Sequence, residues 1–188
     1  MKNYQIYAIL ERISELIRVD SRQTGIRYSL HPIQMEALHY LSICNKYSDT
    51  PMAVTDYLGQ TKGTISQTLK ALEKKGCVIK HPDSKDKRVT HLLVTNKGKD
   101  IIKSSLPTPM FSNALNSISA TESDEIIFTL KKLLSTMLET NNIKSFGVCR
   151  TCIYNQAIND GSFYCNLLKQ PLDIKDVQLI CKEHKVTN

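Results

Sequence analysis

Ile6, Ile9, Leu10, Ile13, Leu16 and Ile17 recur at steps of three and four residues, which predicts an amphipathic helix over roughly 4–20, with Gly25 in the loop beyond its end. The same period returns in SLHPIQMEALHYLSIC. There Pro32 suits a first turn, and Ile33, Ala37, Leu38 and Leu41 form the apolar stripe of a second helix. PMAVTDYLG reads as a short third helix closed by Gly59, and QTKGTISQTLKALEKKG as a fourth helix stopped by Gly76.

After Gly76 the pattern changes. CVIKH and THLLVT are rich in β-branched and apolar residues and flank the polar turn PDSKDKR, which predicts a hairpin. TNKGKDIIKSS resumes a helix with Thr95 as its N-cap, and Pro107 and Pro109 break or kink it. SATESDEIIFTLKKLLSTMLETNN is then a long amphipathic helix opened by Ser119 or Thr121 and early acidic residues. The expected fold is mainly α with a small β-wing. It divides into an N-terminal helical segment (1–30), a compact helix–hairpin unit (31–96), C-terminal helices (97–146) and a cysteine-rich module (147–188).

Composition narrows the function. The 188 residues suffice for one core plus a small appended module. Glu11, Arg12 and Glu15 interrupt the first apolar stretch, so it reads as neither a leader nor a membrane span. That implies a cytoplasmic protein with reduced thiols and no membrane partner. The formal charge is +7, and its distribution is uneven. Residues 61–90 hold eight Lys or Arg (62, 70, 74, 75, 80, 85, 87 and 88) against three acids (73, 83 and 86), the footprint of a nucleic-acid contact surface.

On the fourth helix Ile65, Leu69 and Leu72 stack on one side. Gly63, Gln67, Lys70 and Lys74 point the other way, with Thr64 and Ser66 on the flanks. Amides and hydroxyls can read base edges, ammonium groups offset phosphate charge, and a glycine near the N-terminus lets the helix approach a groove. A short helix, a tight turn, this polar-faced helix and a basic-tipped hairpin make a winged helix–turn–helix. Its candidate DNA contacts are Thr61, Lys62, Gly63, Thr64, Ser66, Gln67 and Lys70 on the helix and Asp86, Lys87 and Arg88 on the wing.

The stretch MAVTDYLGQTKGTISQTLKALEKKGCVIKHPDSKDKRVTHLLVTNKGK resembles the DNA-binding core of the MarR family of bacterial transcriptional regulators. DSKDKR, with Asp83, Asp86 and Arg88, is its most diagnostic part, followed by LVTNKGK; the resemblance spans roughly 4–140. It implies a two-fold homodimer held by the terminal helices, a near-palindromic duplex operator, and Arg88 in the minor groove at the wing tip. A narrow groove of negative potential suits a guanidinium that nearby carboxylates hold in one pose. It also implies control of transcription, most often repression relieved by a small phenolic ligand or an oxidant, though the family includes activators.

Members of that family end near position 145 of this numbering, so the resemblance leaves the tail unexplained. Cys149-x2-Cys152, Cys165 and Cys181-x2-His184 supply five donors where a tetrahedral ion needs four. Zinc would take Cys149, Cys152 and Cys181 with either Cys165 or His184. An iron–sulfur cluster would take the four cysteines. A metal-free redox switch would pair the thiols on oxidation. Zinc knuckles often carry Gly after the second cysteine, where Ile153 stands here. Cys44 and Cys77 read as packing residues, and His31, His39, His81 and His91 receive no role.

No phosphate loop, nucleophile elbow or paired acid–base set is present, so no catalytic residue is assigned. An iron–sulfur or electron-transfer enzyme and a protein-interaction adaptor on the same scaffold are the competing classes. Salt-dependent binding to duplex DNA separates a regulator from both.

Overall fold

The computed structural model describes residues 1–84, 86–158 and 161–185. Lys85, counted in the basic excess, lies outside them. Helices α1 (Lys2–Arg27), α2 (Pro32–Ile43), α3 (Pro51–Leu58) and α4 (Lys62–Lys74) lead into the hairpin β1 (Val78–Pro82) and β2 (Thr90–Val94), followed by α5 (Asn96–Ser105), α6 (Pro109–Leu115) and α7 (Ala120–Thr140). The elements are mainly helical, with one small antiparallel wing, as the apolar pattern predicts.

Helix α1 runs past its expected end and takes in Gly25, which is a correction to the loop assignment. A Cβ on Gly25 would stand 2.7 Å from the Leu30 carbonyl oxygen, so the returning chain presses where only a glycine fits. Helix α2 is buried on more sides than one stripe requires: Met35 and Tyr40 join Ala37, Leu38 and Leu41 in the core. Around it pack Ala53 and Val54 of α3, Ile65, Leu69 and Leu72 of α4, Leu92 and Val94 of β2, and Ile101 of α5. Gly59 and Gly76, both at positive φ, end α3 and α4.

Between Pro107 and Pro109 the chain does more than kink. Pro109 starts a separate short helix, α6, whose Met110 amide donates to the buried Asp20 carboxylate on α1 at 2.9 Å. Ser119 caps α7 through a reciprocal capping box with Glu122. Helix α7 buries no residue against the rest of the chain.

The tail is a small β-rich module. β3 (Gly147–Val148) pairs with β7 (Ile180–Cys181), and β4 (Asn155–Ala157), β5 (Phe163–Cys165) and β6 (Gln170–Leu172) form an antiparallel sheet beside the short helix α8 (Ile174–Val177). It docks on the winged core. Phe146 meets Tyr40 and Tyr57 edge-on with ring centroids 6.0 and 5.3 Å away, and Lys144 pairs with Asp56 at 2.7 Å. Among the described residues no helix is long and apolar enough to cross a membrane.

Candidate nucleic-acid interface

Thr61 starts α4 by accepting the Thr64 amide at 3.1 Å, and its hydroxyl lies 2.9 Å from that of Thr64. Burial of Ile65, Thr68, Leu69 and Leu72 fixes the helix's rotation. Thr61, Lys62, Gly63, Thr64, Ser66, Gln67 and Lys70 are then all exposed on the opposite side, with no carboxylate among them. A Cβ on Gly63 would meet only Thr61 Oγ1, at an ordinary 3.8 Å. The fold itself therefore makes no demand for glycine here, although glycine in a helix costs ~1 kcal/mol relative to alanine.

The basic excess is only partly available. Lys75 turns inward and donates to the Ser29 carbonyl and, at 2.9 Å, to Gln34 Oε1; Lys80 pairs with Glu73 at 2.6 Å. Lys62, Lys70, Lys74 and Lys87 stay exposed.

The hairpin pairs Val78 with Val94 through Pro82 with Thr90, and among the described residues Asp83, Ser84 and 86–89 lie at its tip. Asp86 Oδ1 accepts the backbone amide and Nε of Arg88, each at 3.0 Å, while Oδ2 accepts Nη2 at 2.9 Å. This two-point grip holds Asp86 below the usual carboxylate range. The Arg88 side chain is nonetheless 90% exposed, a guanidinium held in one pose and offered outward.

Beneath the tip is a residue that the sequence reading passed over. His91 Nδ1 lies 2.5 Å from Asp49 Oδ1, at the entrance to α3, and Nε2 lies 3.1 Å from Asp83 Oδ2. Asp83 Oδ1 in turn accepts the Asp86 amide at 2.7 Å. Partial burial opposes protonation of His91, but the two carboxylates outweigh it and hold its pKa above the ordinary histidine value. His81 stacks on the same ring with centroids 5.2 Å apart. No metal-type spacing marks His91, because its partners are two carboxylates, one eight positions away across the hairpin and the other 42 positions away. The one available signal was its position on the strand facing the tip.

A second feature missing from the sequence reading is an apolar cleft of about 370 Å³ between α1, α2 and the α5–α6 corner, lined by Ile17, His39, Ile43, Ile102, Leu106 and Phe111 among others. Burial pushes the His39 pKa down, so the imidazole there favours its neutral form.

In the tail module, Cys149, Cys165 and Cys181 are buried in one cluster with Leu172 and Val177, and Cys152 is half-buried. Burial, then the nearby Cys181, Cys152 and Cys165, push the Cys149 thiol up to about 12. His184 faces elsewhere. Its Nδ1 lies 2.8 Å from the Ser145 hydroxyl and its Nε2 3.0 Å from that of Thr151. Its ring fills the space a side chain on Gly147 would need. Among the described residues no group of three or more His, Cys, Asp or Glu side chains stands in a ready-made metal-binding arrangement. Cys44 and Cys77 are buried, as expected of packing residues.

Residues 28–89 match the family model described as MarR family. The transcriptional repressor MprA of Escherichia coli (strain K12) is 27% identical over 103 residues, which are 54% of this chain; the match spans 58% of MprA, less than two thirds of that relative's length. A MarR transcriptional regulator from Methanosarcina mazei Go1 superposes with a TM-score of 0.62 at 20% identity, covering 73% of this chain and 99% of that one. The S. aureus MepR–DNA complex superposes at 0.57 and 22% identity, covering 69% and 96%. These likenesses show that the chain is built on the winged helix–turn–helix fold.

Proposed function

We propose that the chain is a sequence-specific DNA-binding transcriptional regulator acting as a homodimer, with α4 in the major groove and Arg88 reaching the adjacent minor groove. The observation that carries this reading is the carboxylate-free outer face of α4 beside an arginine held outward by Asp86. Hydroxyl and amide groups on that face suit base edges, and Lys62, Lys70 and Lys87 suit phosphates. The likeness to a named repressor supports repression as the direction of control.

Pairing of two chains is supported by apolar surface that the single chain leaves bare. On α7, Ile127, Leu130, Leu134 and Met137 form one exposed stripe at steps of three and four; on α1, Ile6, Ile9, Ile13 and Leu16 form another. A two-fold dimer that covers both stripes presents two α4 helices to the half-sites of a near-palindrome. The cleft beside Phe111 is the place for a small-molecule effector, because it lies between the α1 arm and the DNA-reading core.

The test is fluorescence anisotropy on duplexes from the gene's own upstream region over a salt series. Specific binding whose logarithm falls linearly with log salt is expected. A folded, paired chain that retains no fragment even in dilute salt would overturn the reading and leave the adaptor or enzyme classes.

A further inference from the structure

The DNA-reading surface uses none of the cysteines in the tail, yet the local backbone gathers three of them into one small buried cluster and sets the fourth, Cys152, on the turn beside it. The Cys149–Thr151 turn returns the Cys152 amide to the Cys149 carbonyl at 3.1 Å. The β3–β7 ladder sets Gly147 opposite Cys181, and the Cys149 amide donates to the Leu179 carbonyl at 2.9 Å, so Cys149, just beyond β3, and Cys181 on β7 are diagonal neighbours two positions apart in register. The Asn155 amide donates to Cys152 at 3.0 Å, and the β4–β5 ladder places Asn155 opposite Cys165.

Among the described residues the module's buried apolar core is three cysteines with Leu172 and Val177, and Tyr47, Tyr154, Phe163 and Leu168 pack half-buried against it. Small units with so little fully buried aliphatic surface are commonly fastened by metal. Two backbone amides also point at sulfur: Leu168 at Cys165 Sγ and Lys185 at Cys152 Sγ, each at 3.5 Å. Hydrogen bonds of this kind to the ligand atoms are what commonly orient the side chains of a metal site. The His184 nitrogens, by contrast, are both engaged by hydroxyls.

The module is also wired to the wing. The Ile180 carbonyl accepts the Asn45 amide at 2.9 Å, Cys44 bridges Ile180, and the Lys182 amide donates to the Ser48 hydroxyl at 2.9 Å. Lys46 reaches Asp173 and Asp176 at 3.1 and 2.8 Å. The next residue after Ser48 is Asp49, whose carboxylate meets His91 and whose carbonyl accepts the Leu92 amide at 2.8 Å.

We propose that Cys149, Cys152, Cys165 and Cys181 hold a thiophilic metal centre with His184 outside the ligand set, and that filling it tightens the base of the wing through the 45–49 loop. Since no ligand cage stands ready-made among the described residues, loading draws the four sulfurs together. The movement of Cys181 is passed to Asn45 and Ser48 through the β7 hydrogen bonds. For zinc, each thiol exchanges its S–H bond for a metal–sulfur bond and the displaced protons go to solvent. For an iron–sulfur cluster, iron and inorganic sulfide arrive with the centre. Any effect of a tighter wing on DNA affinity rests on the DNA-binding reading; the metal site and the tightening of the wing do not.

The test uses the full chain purified without oxygen, with zinc, iron and acid-labile sulfide measured per chain. Either about one zinc and no colour, or iron with sulfide and a brown absorption, supports the site and identifies the centre. Cys165→Ser is expected to lose at least tenfold in metal content, whereas His184→Gln keeps it. Should Cys165→Ser not fold, metal-stripped wild-type chain titrated with Zn²⁺ is expected to lose four reactive thiols to a chromophoric thiol reagent. A chain that takes up neither metal, or one whose metal depends on His184 and not on Cys165, overturns the ligand assignment. Hydrogen exchange at the Leu92 amide is expected to slow several-fold on loading; equal rates in loaded and stripped chain overturn the coupling. Neither measurement involves DNA, so both can fail while the regulator reading stands.

Discussion

His91 Nδ1 and Asp49 Oδ1 lie 2.5 Å apart, and through that contact the wing is fastened to the entrance of α3. Because His91 is held above its ordinary pKa near ~6.5, its contribution to the wing is complete below that value. The contribution is lost as pH rises through the higher folded value. Asp49 is itself pushed above the usual carboxylate value by burial, against the pull of His91. Protection of the wing amides, taken relative to the intrinsic base-catalysed exchange rate, should fall as pH climbs above ~6.5. His91→Ala should flatten that dependence and lower stability by roughly 1.5–3 kcal/mol, the range for a hydrogen bond to a charged group. An unchanged pH profile in the variant would remove His91 from this role.

Asp86 gives a sharper test of the wing, because charge and pose act in opposite directions there. If Asp86 acts only as a charge, removing it should strengthen binding to a polyanion. If its two-point hold on Arg88 is what matters, Asp86→Ala should weaken specific binding even though the chain becomes more basic. The expected outcome is the second, a loss of about tenfold. Arg88→Ala should lose at least as much and reduce the salt slope by about one. Anisotropy on specific and scrambled duplexes separates the two effects, since the loss from lost pose is confined to the specific site.

Two helical glycines make an internal control. A Cβ on Gly98 would stand 2.5 Å from the Cys77 carbonyl oxygen and 2.7 Å from Val94 Cγ1, so Gly98→Ala should destabilise the fold by ~1–3 kcal/mol. A Cβ on Gly63 meets nothing closer than 3.8 Å. Gly63→Ala should therefore raise stability by up to ~1 kcal/mol while weakening DNA binding, because the added methyl group stands where the duplex approaches. Thermal unfolding together with anisotropy checks both signs. If Gly63→Ala is stabilised and binds DNA unchanged, α4 does not approach the groove at that point.

What the sequence revealed and what it hid have physical reasons. The helices and the wing were legible because their cores are local patterns: Ile65, Leu69 and Leu72 mark one face of α4 within eight positions, and Thr95 and Ser119 are caps read from neighbouring residues. The extension of α1 through Gly25 was hidden because it depends on the Leu30 carbonyl passing close by, which no helical period records. His91 was hidden for a similar reason, its partner Asp49 lying 42 positions away. Cysteine spacing announced the tail module, but not that β7 would dock beside Cys44, since a strand of two residues carries no periodic signal.

The apolar stripe of α7 separates an obligate pair from a lone chain. Leu134 is 58% exposed in the single chain and stands in line with Ile127, Leu130 and Met137. A carboxylate placed there costs little in an isolated chain, where the site faces water. In a dimer seam it would be buried without a partner, at a cost of several kcal/mol that association would have to overcome. Leu134→Asp should therefore leave helical content and the winged core intact while shifting the species in light scattering to a single 21.3 kDa chain. Operator binding should fall by well over tenfold, because each half-site is then held by one α4 alone and the gain from simultaneous engagement is gone. A variant that stays paired at full affinity would move the interface off α7 and onto the α1 stripe of Ile6, Ile9 and Ile13, where the same substitution at Ile13 repeats the test.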